Sequence, residues 1–271
     1  MGNILRTASM IYVIFVFVFL LGPFFIILST SFSKSMSLSF PPSKVSVQWY
    51  ERFIDHLAEK EGVKPGLGKA LLTSAGVGAA TSIITLVGGV FAGFVFARAR
   101  WRGRDILRQV FVLPIIFPQI VIAIALLLFF SSLKLFTTEV RMIIGHVTIC
   151  LPFVLLIVSA NFESYDKSIE EAALGLGAGP MRTFFQITLP LIQPALVAAG
   201  IFAFIISFTN FTISFFLAAG GVKTLPIWVI EVMEHLLDPV LAVISVFLIT
   251  TVALTAFVID RLVGISQIIR S

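Results

Sequence analysis

Six stretches of the chain carry no Asp, Glu, Lys or Arg: 7–33, 70–97, 109–133, 142–162, 183–222 and 239–259, each of 21 residues or more. A hydrocarbon layer about 30 Å thick is crossed by roughly 20 helical residues. Only helices and closed barrels satisfy their backbone groups inside it. The six runs show no period-two alternation, which argues against a barrel. The pattern therefore predicts an all-α membrane protein with six transmembrane helices in a single domain, 1–271. The spans fall near 8–30, 70–97, 109–131, 142–160, 193–217 and 239–259. The first apolar stretch, Ala8 to Leu28, exceeds the core of a usual signal peptide. It continues into "STSFSKSMS" without a small-x-small cleavage site, so it reads as an uncleaved span.

Composition agrees with the pattern. Of 271 residues, 58% are hydrophobic and 12% charged, against about 25% charged in a soluble domain. There are 28 phenylalanines, too many for the interior of a soluble globule of this size. Cys150 is the sole cysteine, so the chain forms no internal disulfide. The net charge of +5 flanks the apolar runs, and no basic-aromatic module points to nucleic acid. Membrane lipid is the expected surrounding.

Charge also orients the chain. The segment 98–108, "RARWRGRDILR", holds five arginines and one aspartate. Short loops rich in Arg and Lys stay in the cytoplasm. Both termini, with Arg6 and with Arg261 and Arg270, are then cytoplasmic, as is the loop 161–192. The loops 31–69, 132–141 and 218–238 face outward. Within 31–69, "SVQWYERFIDHLAEKEG" predicts an interfacial helix with Trp49 and Tyr50 at headgroup level and no catalytic role for His56.

The loop 161–192 contains "EEAALGLGAGPMRTFFQITLP", Glu170 to Pro190. Glu170 to Leu174 favour helix. Gly175, Gly177 and Gly179 interrupt it, and Pro180 suits the first turn of a second helix. Met181, Phe184 and Phe185 follow the i, i+3, i+4 spacing of one apolar face. The segment is either a docking element with an apolar knob and nearby carboxylates, or an ordinary re-entry loop packing on its own helix ends.

Seven positions resemble the loop of binding-protein-dependent ABC importer permeases: E-A-A, three residues, G, nine residues, I-x-L-P. Glu171, Ala172, Ala173, Gly177, Ile187, Leu189 and Pro190 fill them. The resemblance implies a type I ABC importer permease fold in the bacterial inner membrane. It also implies that 161–192 is a coupling loop docking on a separate ATPase. Glu171 would contact the ATPase, Gly177 would allow the turn, and Met181, Phe184 and Phe185 would form the knob. Implied partners are a second, different permease chain, two ABC ATPase subunits and an extracytoplasmic solute-binding protein. ATP and Mg would be bound by the ATPase, with no cofactor in this chain. The stretches "ICLPFVLLIVSANFESYDKSIEEAALGLGA" and "KTLPIWVIEVM" most resemble the second permease of spermidine/putrescine-type importers.

The chain's own chemistry is sparse. "GLGKA" at 66–70 fails as a phosphate loop: Val63 stands where the first glycine belongs and Ala70 replaces the hydroxyl. No HExxH, CxxC or nucleophile elbow occurs, so neither catalytic nor metal-binding residues are expected. Polar residues inside a span face a cavity or a partner. The fifth run has Ser207, Thr209, Asn210, Thr212 and Ser214 in "SFTNFTISFF". Asn210 and Ser214 are i, i+4, and the group is either helix-helix glue or the substrate path. Permeases of the polyamine type tend to carry acids where this chain has Thr209-Asn210. The neutral pair suits a small polar solute, amino-acid-like or aminophosphonate-like, as well as a polyamine. Pro114, Pro118 and Gln119 mark a bend or gate in the third run, and His146 reads as a helix-helix hydrogen-bonder. The competing reading is an ATP-independent multi-span channel or an integral membrane enzyme.

Overall fold

The computed structural model describes residues 2–36, 40–42, 44–60, 66–99, 101–133, 136–235 and 239–263. Val63, Arg100 and Arg270, which entered the phosphate-loop and topology readings, lie outside them. Among the described residues the chain is helical, apart from turns and one isolated antiparallel bridge between Ser33 and Val45. The helices are α1 (Gly2–Ser31), α2 (Gln48–Leu57), α3 (Leu67–Arg98), α4 (Arg104–Ile116), α5 (Gln119–Leu133), α6 (Thr138–Ser164) and α7 (Ser168–Gly175). There follow α8 (Pro180–Thr183), a π-helical turn (Phe184–Thr188), α9 (Leu189–Leu191), α10 (Gln193–Thr209), α11 (Phe211–Leu217), α12 (Leu225–His235) and α13 (Val240–Val263).

Three stretches are each long and apolar enough to cross a membrane: Arg6–Ser31, Leu67–Arg98 and Thr138–Ser164. Two bent pairs pass only together. α4 and α5 meet at 103°, and Pro180–Leu191 meets α10 at 71°. The described residues thus carry three candidate crossings, or five if each bent pair is one span, against the six predicted. Val240–Leu254, where the sixth was expected, is a shorter apolar helix within α13.

Each break has a local cause. Phe117 is extended (φ −79°, ψ 141°) because Pro118 follows it, and proline excludes the helical conformation from its predecessor. The fifth run is not one continuous helix: it breaks at Asn210 (φ −76°, ψ 110°). There the Asn210 side-chain oxygen accepts the Ile213 N–H at 2.8 Å and caps α11. Asn210 and Ser214 consequently do not lie along one continuous helix. The π-helical turn precedes Pro190, which cannot donate to the Gln186 carbonyl, and the helix widens there.

The contacts divide the chain into two compact units. One joins the N-terminal segment through Gly68 with Val229–Leu254. In it α2 is tied to the chain after α1: Trp49 Nε1 donates to the Ser33 carbonyl at 2.6 Å, and the Tyr50 and Ser31 hydroxyls lie 2.9 Å apart. Trp49 is buried, so it is not the outward-facing anchor that its position in an amphipathic loop predicts.

The other unit is built on Lys69–Trp228. Its core surrounds α6, with Met142, Ile149, Val154, Val158 and Phe162 all buried. α3 approaches α6 closely: a Cβ on Gly89 would come 2.6 Å from the Val154 side chain, so any larger residue there forces the two helices or Val154 to shift. Ser82 Oγ donates to the Gly200 carbonyl at 2.7 Å and ties α3 to α10.

Candidate functional site: a helical hairpin and two broken spans

The loop between α6 and α10 folds as helix, tight turn, short helix. α7 starts after Asp166, whose carboxylate accepts the Ser168 N–H at 2.9 Å. The Ser168 hydrogen bonds hold the Asp166 carboxyl below its ordinary pKa. α7 ends at a glycine stop. The Ala178 N–H reaches the Ala173 carbonyl and the Gly177 N–H reaches that of Leu174, both at 3.0 Å. Gly177 adopts φ +87°, the left-handed conformation that this pattern requires. Of the three alternating glycines, Gly177 alone has a positive φ. Pro180 then opens α8.

The turn presents apolar side chains to its surroundings. Leu176 is 90% exposed, Met181 70% and Phe185 50%. Glu171 and Ala172 are exposed beside them, and Ala173 is half-buried. Phe184 is placed otherwise than the i, i+3, i+4 reading has it. It is 8% exposed and turned inward, its ring 4.9 Å from Phe94 and 6.3 Å from Phe91 on α3. The π-helical turn begins at Phe184 and shifts the register, which separates it from Met181 and Phe185. Leu176, which sequence spacing missed, takes its place at the surface; its position between two glycines was the available signal.

Behind that surface lies an interior polar knot. The Glu170 carboxylate accepts the hydroxyls of Tyr165 and of Thr188, the latter at 2.6 Å. Arg98, the last residue of α3, places Nε 3.2 Å from Glu170 Oε2 as an ion pair, without hydrogen-bond alignment. Its Nη2 donates to Oε1 at 3.4 Å, and its Nη1 donates to the Phe162 carbonyl at 3.0 Å. The guanidinium sits 4.7 Å from the centre of the Tyr165 ring. Both charged side chains are only 14% exposed.

The second polar feature joins the two broken spans. Asn210 Nδ2 donates to Gln119 Oε1 at 3.0 Å, so the break at Pro118 meets the cap of α11. His146 Nδ1 lies 2.7 Å from the Met142 carbonyl, which can only accept, and Nε2 lies 3.3 Å from Ser214 Oγ. Ser214 and His146 are buried, so this pair is glue between α6 and α11. Ser207 is buried, while Thr209 is exposed and donates to its own helix at the Ile205 carbonyl, 2.8 Å. Of the polar residues picked out in the fifth run, the structure brings Asn210 to a partner in the third and leaves Thr209 accessible. Among the described residues no group of three or more His, Cys, Asp or Glu could hold a metal ion.

Residues 85–267, more than half of the chain, match the family described as "Binding-protein-dependent transport system inner membrane component". The chain belongs to this family. It is an inner-membrane permease component of an ABC importer, a transport subunit and not an enzyme. It is similar to the putrescine transport system permease protein PotI of Escherichia coli K12, 28% identical over 249 residues, 89% of this chain and 85% of that one. It is similar also to the spermidine/putrescine transport system permease protein PotC of Haemophilus influenzae, 28% identical over 252 residues, 92% of this chain and 93% of that one. Among solved structures, a bacterial ABC transporter involved in import of the acidic polysaccharide alginate shares the fold of the permease. Its TM-score is 0.65 at 19% identity, covering 96% of both chains.

Proposed function

We infer that this permease forms the substrate path of an ATP-driven importer and couples to separate ATPase subunits through its 170–190 loop. The observation that carries the reading is the exposed apolar set Leu176, Met181 and Phe185 beside the exposed Glu171. Apolar side chains at an exposed turn suit a protein groove better than water. In this reading the whole chain, 1–271, acts as one transmembrane domain with cytoplasmic termini. It pairs with a second, different permease chain, two ATPase subunits that bind ATP and Mg, and an extracytoplasmic solute-binding protein. Closure of the ATPases would draw the coupling loops together and turn the cavity outward.

The substrate is a small polar solute. The relatives' names speak of putrescine and spermidine. In this chain Gln119, Thr209 and Asn210 are neutral, so an amino-acid-like or aminophosphonate-like zwitterion fits the path as well as a polyamine does. A thermal-shift screen of the cognate binding protein against putrescine, spermidine, amino acids and 2-aminoethylphosphonate separates these classes.

Copurification tests the coupling. The tagged chain should retain a stoichiometric P-loop ATPase, and Glu171→Ala should lose it while still reaching the membrane in normal amount. Solute transport by the chain without any ATPase would support an ATP-independent channel and overturn the reading.

A further inference from the structure

The two adjacent carboxylates of the loop stand in different surroundings. Glu171 is exposed. Glu170 is enclosed by three separate parts of the chain: Arg98 at the end of α3, Tyr165 just after α6, and Thr188 at the end of the π-helical turn. Thr188 is buried and its hydroxyl donates a hydrogen bond to this carboxylate. Arg98 in turn holds the last turn of α6 through the Phe162 carbonyl. One carboxylate thus closes a polar ring around the base of the hairpin and ties α7 to the end of α3.

Below the ring the packing is aromatic. Phe94 of α3 stands edge-on to Phe162 of α6 at 5.5 Å and to Phe184 of the π-helical turn at 4.9 Å. Apolar packing of this kind resists compression, but it is non-directional and lets surfaces slide. A buried, hydrogen-bonded ion pair is directional and fixes orientation. The ion pair and the aromatic cluster together join the hairpin to α3 as one body.

We propose that Glu170 is a positioning residue: through Arg98 it locks the exposed hairpin to the end of α3, so that a displacement applied at the docking surface moves that span. Glu171 meets the partner and Glu170 carries the motion inward. The proposal rests on the coupling role of the 170–190 loop.

Spin labels at Val95→Cys on α3 and Ser168→Cys on α7, both exposed sites, read the coupling in the full chain with its copurified partners, in a Cys150→Ala background. The unmutated pair should give one narrow distance distribution, equally narrow with and without ATP and vanadate. Glu170→Gln should widen it at least twofold while ATPase retention stays at the wild-type level. Arg98→Gln should widen it equally, and the double variant should add nothing, because one pair is being broken. Tyr165→Phe, which removes a single hydroxyl, is the milder variant and should widen it less. Unchanged widths in both Glu170→Gln and Tyr165→Phe would overturn the proposal, as would additive widening in the double variant. Loss of the ATPase in Glu170→Gln would also overturn it, by making Glu170 a docking residue. If the unmutated chain retains no ATPase, the coupling reading fails instead, and this proposal falls with it.

Discussion

At the scale of residues, the hairpin depends on a few side chains whose effects are separable. Gly177 has open space around its Cα but a φ of +87°, so the cost of replacing it is conformational. A β-branched residue there pays roughly 1–2 kcal/mol for the left-handed conformation. Gly177→Val should therefore fray the end of α7, abolish coupled uptake and leave the amount of membrane-inserted protein unchanged, which immunoblotting and transport assays check together. Gly175→Ala has neither a crowded Cβ nor a positive φ to contend with and should be mild. Asp166 gives the hairpin a pH dependence of known sign. Its depressed pKa means that its contribution is full above the ordinary carboxylate range and fades as pH falls through the depressed value. The protection of the Ser168 amide, measured as exchange relative to its intrinsic rate at each pH, should fall at acid pH in the wild-type chain and lose that dependence in Asp166→Asn.

At the scale of elements, the long helices follow from the charge-free runs, whereas the breaks follow from single residues. The bend after Ile116 was legible, because proline acts on its neighbour whatever the tertiary context. The break at Asn210 was not: asparagine occurs inside helices as well as at caps, and spacing alone gave Asn210 and Ser214 a shared face. Asn210 therefore has two jobs, capping α11 and holding Gln119. Loss of the cap costs about 0.5–2 kcal/mol. Asn210→Ala should lower the thermal midpoint, and Asn210→Ser, which keeps a capping oxygen, should recover most of it. If the residue also lines the path, apparent substrate affinity should fall in both variants. Full transport in the serine variant would assign Asn210 to the cap alone. The Phe184 reading went astray at the same scale, since a π-helical turn changes the residue period and no short sequence pattern announces it.

At the scale of the whole molecule, composition already excluded a soluble globule, and the apolar surface of α1 bears this out. From Arg6 to Ser29 no residue of α1 is buried within the chain, so its apolar side chains need lipid or a partner subunit around them. In the proposed function the exposed hairpin meets a partner as well. The Glu170–Arg98 pair was hidden in the sequence because its members lie 72 residues apart and nothing local marks them as neighbours. The helix-turn-helix of the 170–190 loop was legible because its residues are consecutive and act through a local turn. What the larger assembly does with the hairpin follows from which side chains face outward. A photo-crosslinking amino acid placed at Leu176, Phe185 or Phe184 in the full chain tests that contact most directly. The account predicts ATPase adducts from Leu176 and Phe185 and none from the inward-facing Phe184. Absence of adducts from Leu176 and Phe185 in an intact, transporting complex would contradict it.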